Sequence, residues 1–331
     1  MDFLLGQLLF LIPFMASFYL SVPIHEAGHL LCGLLTGYKF SSFRLFSLVW
    51  FREKEGEEIR FKISKNSLGI GGQCLMTPVS DEREFKFVLY NLGGGLFNFI
   101  FAAPAIVMLI LTGHSTLLWA WGSAQIFMGL LNLVPMSIGL PNDGMNLLQA
   151  LRSKDARRGF YLVLRVNSDL MGGKRLRDFD EQIFAVGDDA NLNNYFVANI
   201  INLEASRLYD MGEYEQMLEQ FKRLNLNKLQ AFYRNNFKSD IAYYYIVHAP
   251  DFGKARQICQ GEKMRAYLKL NMPPAMRVSA AYEYFVNGNR EAGRAILAKA
   301  RKELEAYPNA GARIMESDYC DMLEQKMGQV S

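Results

Sequence analysis

Hydrophobic and polar positions divide the chain into two unlike stretches. From Phe3 to Ile24 there is no charged residue, and Leu30-Leu31-Cys32-Gly33-Leu34-Leu35 continues the apolar run. An α-helix over Phe3–Thr36 would span roughly 50 Å, well beyond the ~30 Å hydrocarbon core of a bilayer. Such a helix must tilt, protrude or break, with Pro13 and Pro23 as the expected kinks. Between Phe87 and Asn142 no Asp, Glu, Lys or Arg occurs in 56 residues. That stretch suits two more membrane helices, about Phe87–Leu111 and Leu117–Val134, broken at Thr112-Gly113-His114-Ser115.

Tyr38–Lys86 is polar by comparison. Phe43–Phe51 is β-prone, and Ile59, Phe61 and Ile63 alternate with Arg60, Lys62 and Ser64. A β-hairpin follows, turning at Arg52-Glu53-Lys54-Glu55-Gly56-Glu57, with the Gly-rich segment Gly69–Cys74 behind it. From about Leu151 the chain is dense in charge and reads as water-soluble helices. The windows Ala205–Tyr214 and Ala280–Asn289, with a looser copy around Ala242–Tyr245 and Asp251–Ala255, recur about every 40 residues, as tetratricopeptide-type repeats do. The expected fold class is therefore mainly α: a core of about three transmembrane helices with a small hairpin at 1–150, a linker with the first water-soluble helices at 151–194, and a tetratricopeptide-like domain at 195–331.

Charge fixes the expected orientation. The loop Gly37–Lys86 carries nine Lys and Arg residues, the turn near Gly113 none, and Arg152, Lys154, Arg157 and Arg158 follow the third helix. The positive-inside rule puts that loop and the C-terminal domain in the cytoplasm and the N-terminus outside. The near-N-terminal run lacks a basic flank and a small-residue cleavage site, so a removable signal peptide is not expected. The net charge of +3 and the absence of a basic, aromatic-interleaved stripe argue against nucleic acid. Four scattered cysteines, with no Cys-x-x-Cys pair, indicate neither a cysteine zinc site nor a disulfide framework.

The chemistry-bearing motif is His25-Glu26-Ala27-Gly28-His29. On a helix His25 and His29 lie one turn apart on one face and supply two ligands of a tetrahedral zinc. Glu26 then reaches a water on the ion, whose pKa falls to about 7, and acts as general base. A third ligand is required. His114 falls on the far side of the membrane and His248 in the C-terminal half. Asp143 ends the charge-free run on the same side as the two histidines, where a carboxylate at membrane depth marks function. Asp143 alternatively caps the helix Met145–Arg152. Asn98 and Asn132, polar groups in apolar helices, serve either substrate and oxyanion contact or hydrogen bonding between helices.

These motifs resemble the site-2 protease family of intramembrane zinc metalloproteases, over roughly Leu4–Leu151. The similarity rests on His25–His29, on Asn132-Leu133-Val134-Pro135 followed by Asp143-Gly144, and on Gly94-Gly95-Leu96-Phe97-Asn98, which looks like the family's Gly-x-x-x-Asn signature. Seven residues separate Pro135 from Asp143, more than the family's usual spacing, so that connection has to fold the carboxylate back to the histidines. The resemblance implies one catalytic Zn2+, a membrane-embedded or membrane-tethered peptide substrate, and an integral, multi-pass place in a bacterial cell membrane. The hairpin would hold an unwound substrate segment by strand addition, and the helical repeats a cytoplasmic regulator or substrate tail. The competing reading is a catalytically inactive membrane scaffold whose repeats bind a cytoplasmic partner.

Overall fold

The computed structural model describes residues 2–53, 57–63, 71–305, 307 and 309–329. The Lys54-Glu55-Gly56 part of the expected turn, Ser64, and Gly69-Ile70 of the glycine segment lie outside them. The protein is mainly helical, with one four-stranded antiparallel sheet. It divides into two compact units, one of Met1–Phe51, Ile59–Ile63 and Gly69–Arg152, the other chiefly of Ser153–Ser331.

In the first unit α1 runs unbroken from Asp2 to Leu35, with Pro13 and Pro23 inside it. Gly37, at φ +88°, ends it, and the Tyr38 N–H closes back onto the Gly33 carbonyl at 2.9 Å. The sheet follows: β1 (Lys39–Leu45), β2 (Leu48–Phe51), β3 (Arg60–Ile63) and β4 (Gly72–Thr77), in the order β3-β2-β1-β4. The single strand expected at Phe43–Phe51 is two. Leu45 pairs with Leu48 across a two-residue turn in which Phe46 takes φ +52°. Residue type gave no warning, because the turn puts a bulky side chain where Gly or Asn is usual. The alternation in β3 is real, but its apolar face is outward: Ile59, Phe61 and Ile63 are all more than half exposed.

Two helices, α2 (Phe87–Thr112) and α3 (Thr116–Leu133), form an antiparallel pair joined at Gly113, φ +88°. The Ser115 hydroxyl caps α3 by accepting from the Leu118 N–H at 3.4 Å. From Leu9 onward α1 is long and apolar enough to cross a membrane, as is α2. Much of their apolar surface faces outward, Ile12, Leu35, Ile110 and Leu111 among it. The third expected span, α3, is shorter and less apolar, since it carries Gln125 and Asn132. The three helices pack pairwise. Their closest approach is backbone to backbone: a Cβ on Gly28 would collide with the Gly93 carbonyl, and one on Gly93 with the Gly28 carbonyl. A short ribbon of β5 (Ser137–Ile138) and β6 (Leu140–Pro141) leads into α4 (Asp143–Arg152).

The second unit holds α5 (Lys154–Met171), α6 (Tyr195–Met211), α7 (Tyr214–Lys222), α8 (Ala231–Val247), α9 (Phe252–Cys259), α10 (Glu262–Leu268), α11 (Pro273–Ala281), α12 (Arg290–Glu305) and α13 (Ala310–Gln329). A π turn at Tyr282–Val286 extends α11. The three repeat-like windows fall on the helix pairs α6–α7, α8–α9 and α11–α12. The loop-rich segment 169–194, with Gly172-Gly173, is the part expected as a linker, and some of its residues pack in a core. Leu176, Phe179 and Phe184 are buried with Leu162 and Val166 of α5, Ile200 of α6 and Met315 of α13. Asp210 on α6 ties that segment down, accepting from the Arg175 guanidinium, from the Arg177 N–H at 3.1 Å and from the Tyr319 hydroxyl at 3.2 Å. Its glycines and loop-rich sequence read as a connector, and three aromatic or aliphatic anchors hold it down.

Candidate metal centre

His25 and His29 lie on the face of α1 that packs against α2, and are 5% and 6% exposed. Each ring is held at its far nitrogen. His25 Nδ1–H donates to Asn98 Oδ1 at 2.8 Å, and His29 Nδ1–H donates to the Tyr90 carbonyl at 2.7 Å. The Tyr90 carbonyl only accepts, so the proton of neutral His29 sits on Nδ1 and its Nε2 lone pair points inward. The same logic reaches His25 through a longer chain. Asn98 donates from Nδ2 to the Ser21 carbonyl at 3.1 Å and to Gln125 Oε1 at 2.8 Å, which leaves its oxygen facing His25. Helix α2 thus sets the tautomer of both rings, as hydrogen-bond acceptors behind metal-ligating histidines do.

Asp143 is brought to these nitrogens across 118 and 114 residues of chain. Its Oδ2 lies 3.0 Å from His25 Nε2 and 3.1 Å from His29 Nε2, and the two Nε2 atoms are 3.1 Å apart. Three lone-pair donors at such spacing repel one another unless a cation lies among them. The triangle is close to the edge of a zinc tetrahedron, roughly 3.3 Å for bonds of about 2.0–2.1 Å. The donor set of two imidazoles and a carboxylate also suits zinc. Among the described residues this is the group of His, Cys, Asp and Glu side chains placed to hold a metal ion. Asp143 is the more open ligand, its side chain 22% exposed against 7% and 8% for the histidines, so the approach lies on its side.

The connection before Asp143 is organised by Asn142, a residue the motif reading passed over. Asn142 Nδ2 donates to the Leu131 and Val134 carbonyls at 2.7 and 2.6 Å, and its Oδ1 accepts from the Met136 and Met145 N–H groups at 3.0 and 2.9 Å. One side chain therefore closes the extra residues into a loop and caps α4. The alternative role for Asp143 as that cap is filled by Asn142, and the Asp143 carboxylate is left to the site. An Asn directly before a helix start was the available signal. Gly144 lets α4 press against the end of α3, where a Cβ would strike the Leu133 carbonyl.

Three successive glycines on α2 have three different neighbours. Gly93 meets Gly28, Gly95 meets Leu133, and Gly94 faces the site. A Cβ on Gly94 would come within 3.0 Å of His25 Cε1 and Nε2 and of His29 Nε2. The space a metal would need is kept by the missing side chain.

Glu26 is 7% exposed and lies against β4, where a Cβ on Gly72 would overlap its carboxylate. The backbone N–H of Cys74 faces the same carboxylate. The Tyr90 hydroxyl closes the next carbonyl of that strand, donating to Cys74 O at 2.7 Å. The strand beside the site is thus β4, whereas the strands of the expected hairpin stand farther off and its outer member β3 forms the opposite edge of the sheet.

Asn98 and Asn132 had two alternatives, substrate contact or hydrogen bonding within the protein, and each makes hydrogen bonds within the protein. Asn98 is fully buried with both ends of its amide engaged by protein, one of them His25. Asn132 Nδ2 donates within its own helix, to the Met128 carbonyl at 3.1 Å. In apolar helices these amides found partners within reach, which removes the desolvation cost that suggested a catalytic role. His248 packs in the second unit, its Nε2 3.1 Å from the Tyr209 hydroxyl and its ring stacked on Tyr214.

The family model described as Peptidase family M50 matches residues 13–114. Over those residues the chain is similar to the M50 peptidases. M50 proteins, the family of the site-2 proteases, are zinc metalloproteases of membranes. The match covers α1 from Pro13, the sheet and α2, and with them His25, Glu26, His29, Gly94 and Asn98; Asp143 and the helices from α5 on lie beyond it. No curated protein and no solved structure matches the chain.

Proposed function

We propose that the first unit is a zinc-dependent endopeptidase of the site-2 protease type. It hydrolyses a peptide bond in or beside the membrane segment of a membrane-bound protein or peptide. A membrane-tethered regulator, a signal-peptide remnant and a peptide pheromone are substrates of that kind. The observation that carries the reading is the convergence of His25 Nε2, His29 Nε2 and Asp143 Oδ2 with Glu26 at the adjoining position of the same helix.

A zinc ion held by those three atoms supplies a Lewis acid that acidifies water and polarises a carbonyl. The chain does the rest. Asn98 and Tyr90 keep both Nδ1 protons in place, so the Nε2 lone pairs stay directed at the site. Glu26 takes the proton of the attacking water on its carboxylate, holds it against β4, and returns it to the departing nitrogen. Burial of that carboxylate keeps bulk water from competing for the proton.

The orientation follows from the charge-free stretch 87–142 and the basic loops flanking it: three spans, N-terminus outside, second unit in the cytoplasm. The second unit serves as a tetratricopeptide-like scaffold for a substrate tail or a regulator, a role supported by the three helix pairs at the repeat-like windows. An inactive scaffold has no need for four polar groups at membrane depth, each costly to bury. The test is Glu26→Gln. The variant keeps one zinc per chain and loses cleavage, while His25→Ala and Asp143→Ala lose the metal. Undiminished cleavage by Glu26→Gln would refute the proposal.

A further inference from the structure

Gln125 on α3 is 0% exposed. It is an amide in apolar company, with Ala120, Ala124 and Met128 buried on the same helix. Its Oε1 accepts from Asn98 Nδ2 at 2.8 Å. Its Nε2 is buried and makes no hydrogen bond with any described residue. An unmet buried donor is costly. A Met of similar length would fill the place without that cost, so packing alone does not account for an amide here. The hydrogen bond to Asn98 does.

The groups around Asn98 give this chain of amides one polarity. Asn98 Nδ2 faces two acceptors, the Ser21 carbonyl at 3.1 Å and Gln125 Oε1, and its Oδ1 faces His25 Nδ1 at 2.8 Å. Turning Asn98 over alone would set its oxygen against both acceptors. Turning Gln125 over alone would aim its amino group at that of Asn98. Turning both together would still set the Asn98 oxygen against the Ser21 carbonyl, which only accepts. The Ser21 carbonyl comes from α1 itself, one turn before His25. Gln125 is the second acceptor, and it comes from a different helix. With both in place each Asn98 N–H has a partner, and the oxygen stays on His25.

We propose that Gln125 is a positioning residue of the metal centre: through Asn98 it holds the His25 ring so that Nε2 is turned toward the ion. The inference rests on the reading of His25, His29 and Asp143 as metal ligands. Without the Gln125 oxygen one Asn98 N–H has no acceptor, and the amide is free to turn away from His25. The cost of the unmet Gln125 Nε2 is thus offset at the site, three side chains in a row from Gln125 to the ligand.

The experiment measures zinc affinity of the full chain in detergent, by competition with a chelator, and the visible spectrum of the cobalt(II)-loaded protein, which reports ligand geometry. Gln125→Met removes the acceptor and keeps the volume. It exchanges one unmet donor, Gln125 Nε2, for another on Asn98, so the melting temperature of the metal-free chain stays close to the parent's. Zinc affinity falls about ten-fold, the low end for loss of an orienting partner, because the Ser21 carbonyl still holds Asn98. The cobalt spectrum shifts with it. Gln125→Leu, which also lacks the acceptor, gives the same loss. Gln125→Glu keeps an oxygen toward Asn98 and restores most of the affinity. Added to Asn98→Ala, Gln125→Met costs little more, since its effect passes through Asn98. A parent chain that binds no zinc would sink the metal reading itself. With a parent that does bind, three results overturn the role of Gln125 and leave the metal centre standing: affinity and cobalt spectrum unchanged in a folded Gln125→Met or Gln125→Leu, no recovery in a folded Gln125→Glu, or the full loss repeated on top of Asn98→Ala.

Discussion

Adding one methyl group to α2 at Gly94 should remove the metal without touching a ligand. In Gly94→Ala the new Cβ lies within 3.0 Å of two atoms of His25 and one of His29. Carbon contacts settle at about 3.5–4.0 Å, so both rings must retreat by roughly 1 Å. They cannot do so freely. His25 is pinned at 2.8 Å to Asn98 Oδ1 and His29 at 2.7 Å to the Tyr90 carbonyl, and a retreat of that size takes both bonds out of range. Metal sites tolerate ligand displacements of only about 0.2 Å, and loss of each hydrogen-bond partner that orients a ligand costs about 10–100-fold in metal affinity. A fall in zinc affinity of at least about 100-fold is expected, read by competition with a chelator in detergent. Helix propensity works the other way, since Ala favours an exposed helix interior over Gly by about 1 kcal/mol. Far-UV melting of the two proteins therefore separates a collapsed site from a collapsed fold. Gly122→Ala on α3 is the control: its Cβ would make only ordinary contacts, 3.7 Å to Ala105 and 3.9 Å to Ile106. Zinc binding by Gly94→Ala within about three-fold of the parent would refute the geometry.

Asn98→Ala leaves His25 Nδ1–H, the Ser21 carbonyl and Gln125 Oε1 without their partner; zinc affinity falls about 10–100-fold with every ligand intact, and an unchanged chelator titration would show that Asn98 does not orient the ring. In the second unit, Glu316→Ala strands the buried Arg277 charge and lowers stability by about 3–5 kcal/mol, measurable by chemical denaturation. Replacing both partners together, Arg277→Met with Glu316→Leu, costs less than the single change. Burial, with Lys326 and Arg277 adding to it, holds His248 down at about 3, below its usual 6.5. The folded state thus favours neutral imidazole: its contribution is complete above about pH 6.5 and is lost as pH falls toward 3. Melting temperature should drop over that window, and His248→Gln should flatten the drop.

Much of the first unit was legible because its signals are local. A charge-free run long enough to span lipid excludes most other structures, and the expected boundaries of α2 and α3 lie within a residue or so of the observed ones, fixed by Lys86, Gly113 and Ser115. His25, Glu26 and His29 announce themselves because one helical turn alone sets their spacing. Even Asp143 could be named, since the charge pattern allows a carboxylate at few places. The polar groups that finish the site were not legible in the same way. Whether Asn98 meets substrate or a histidine, and whether Asn142 or Asp143 caps α4, depends on atoms contributed by other helices. The same holds for Gly94, whose importance is a collision with rings on α1, and for 169–194, which looks like a connector until Leu176, Phe179 and Phe184 find their core. Periodicity and charge report where the chain must go relative to water and lipid. Which polar atom satisfies which is settled only when segments more than a hundred residues apart in the chain close on one another.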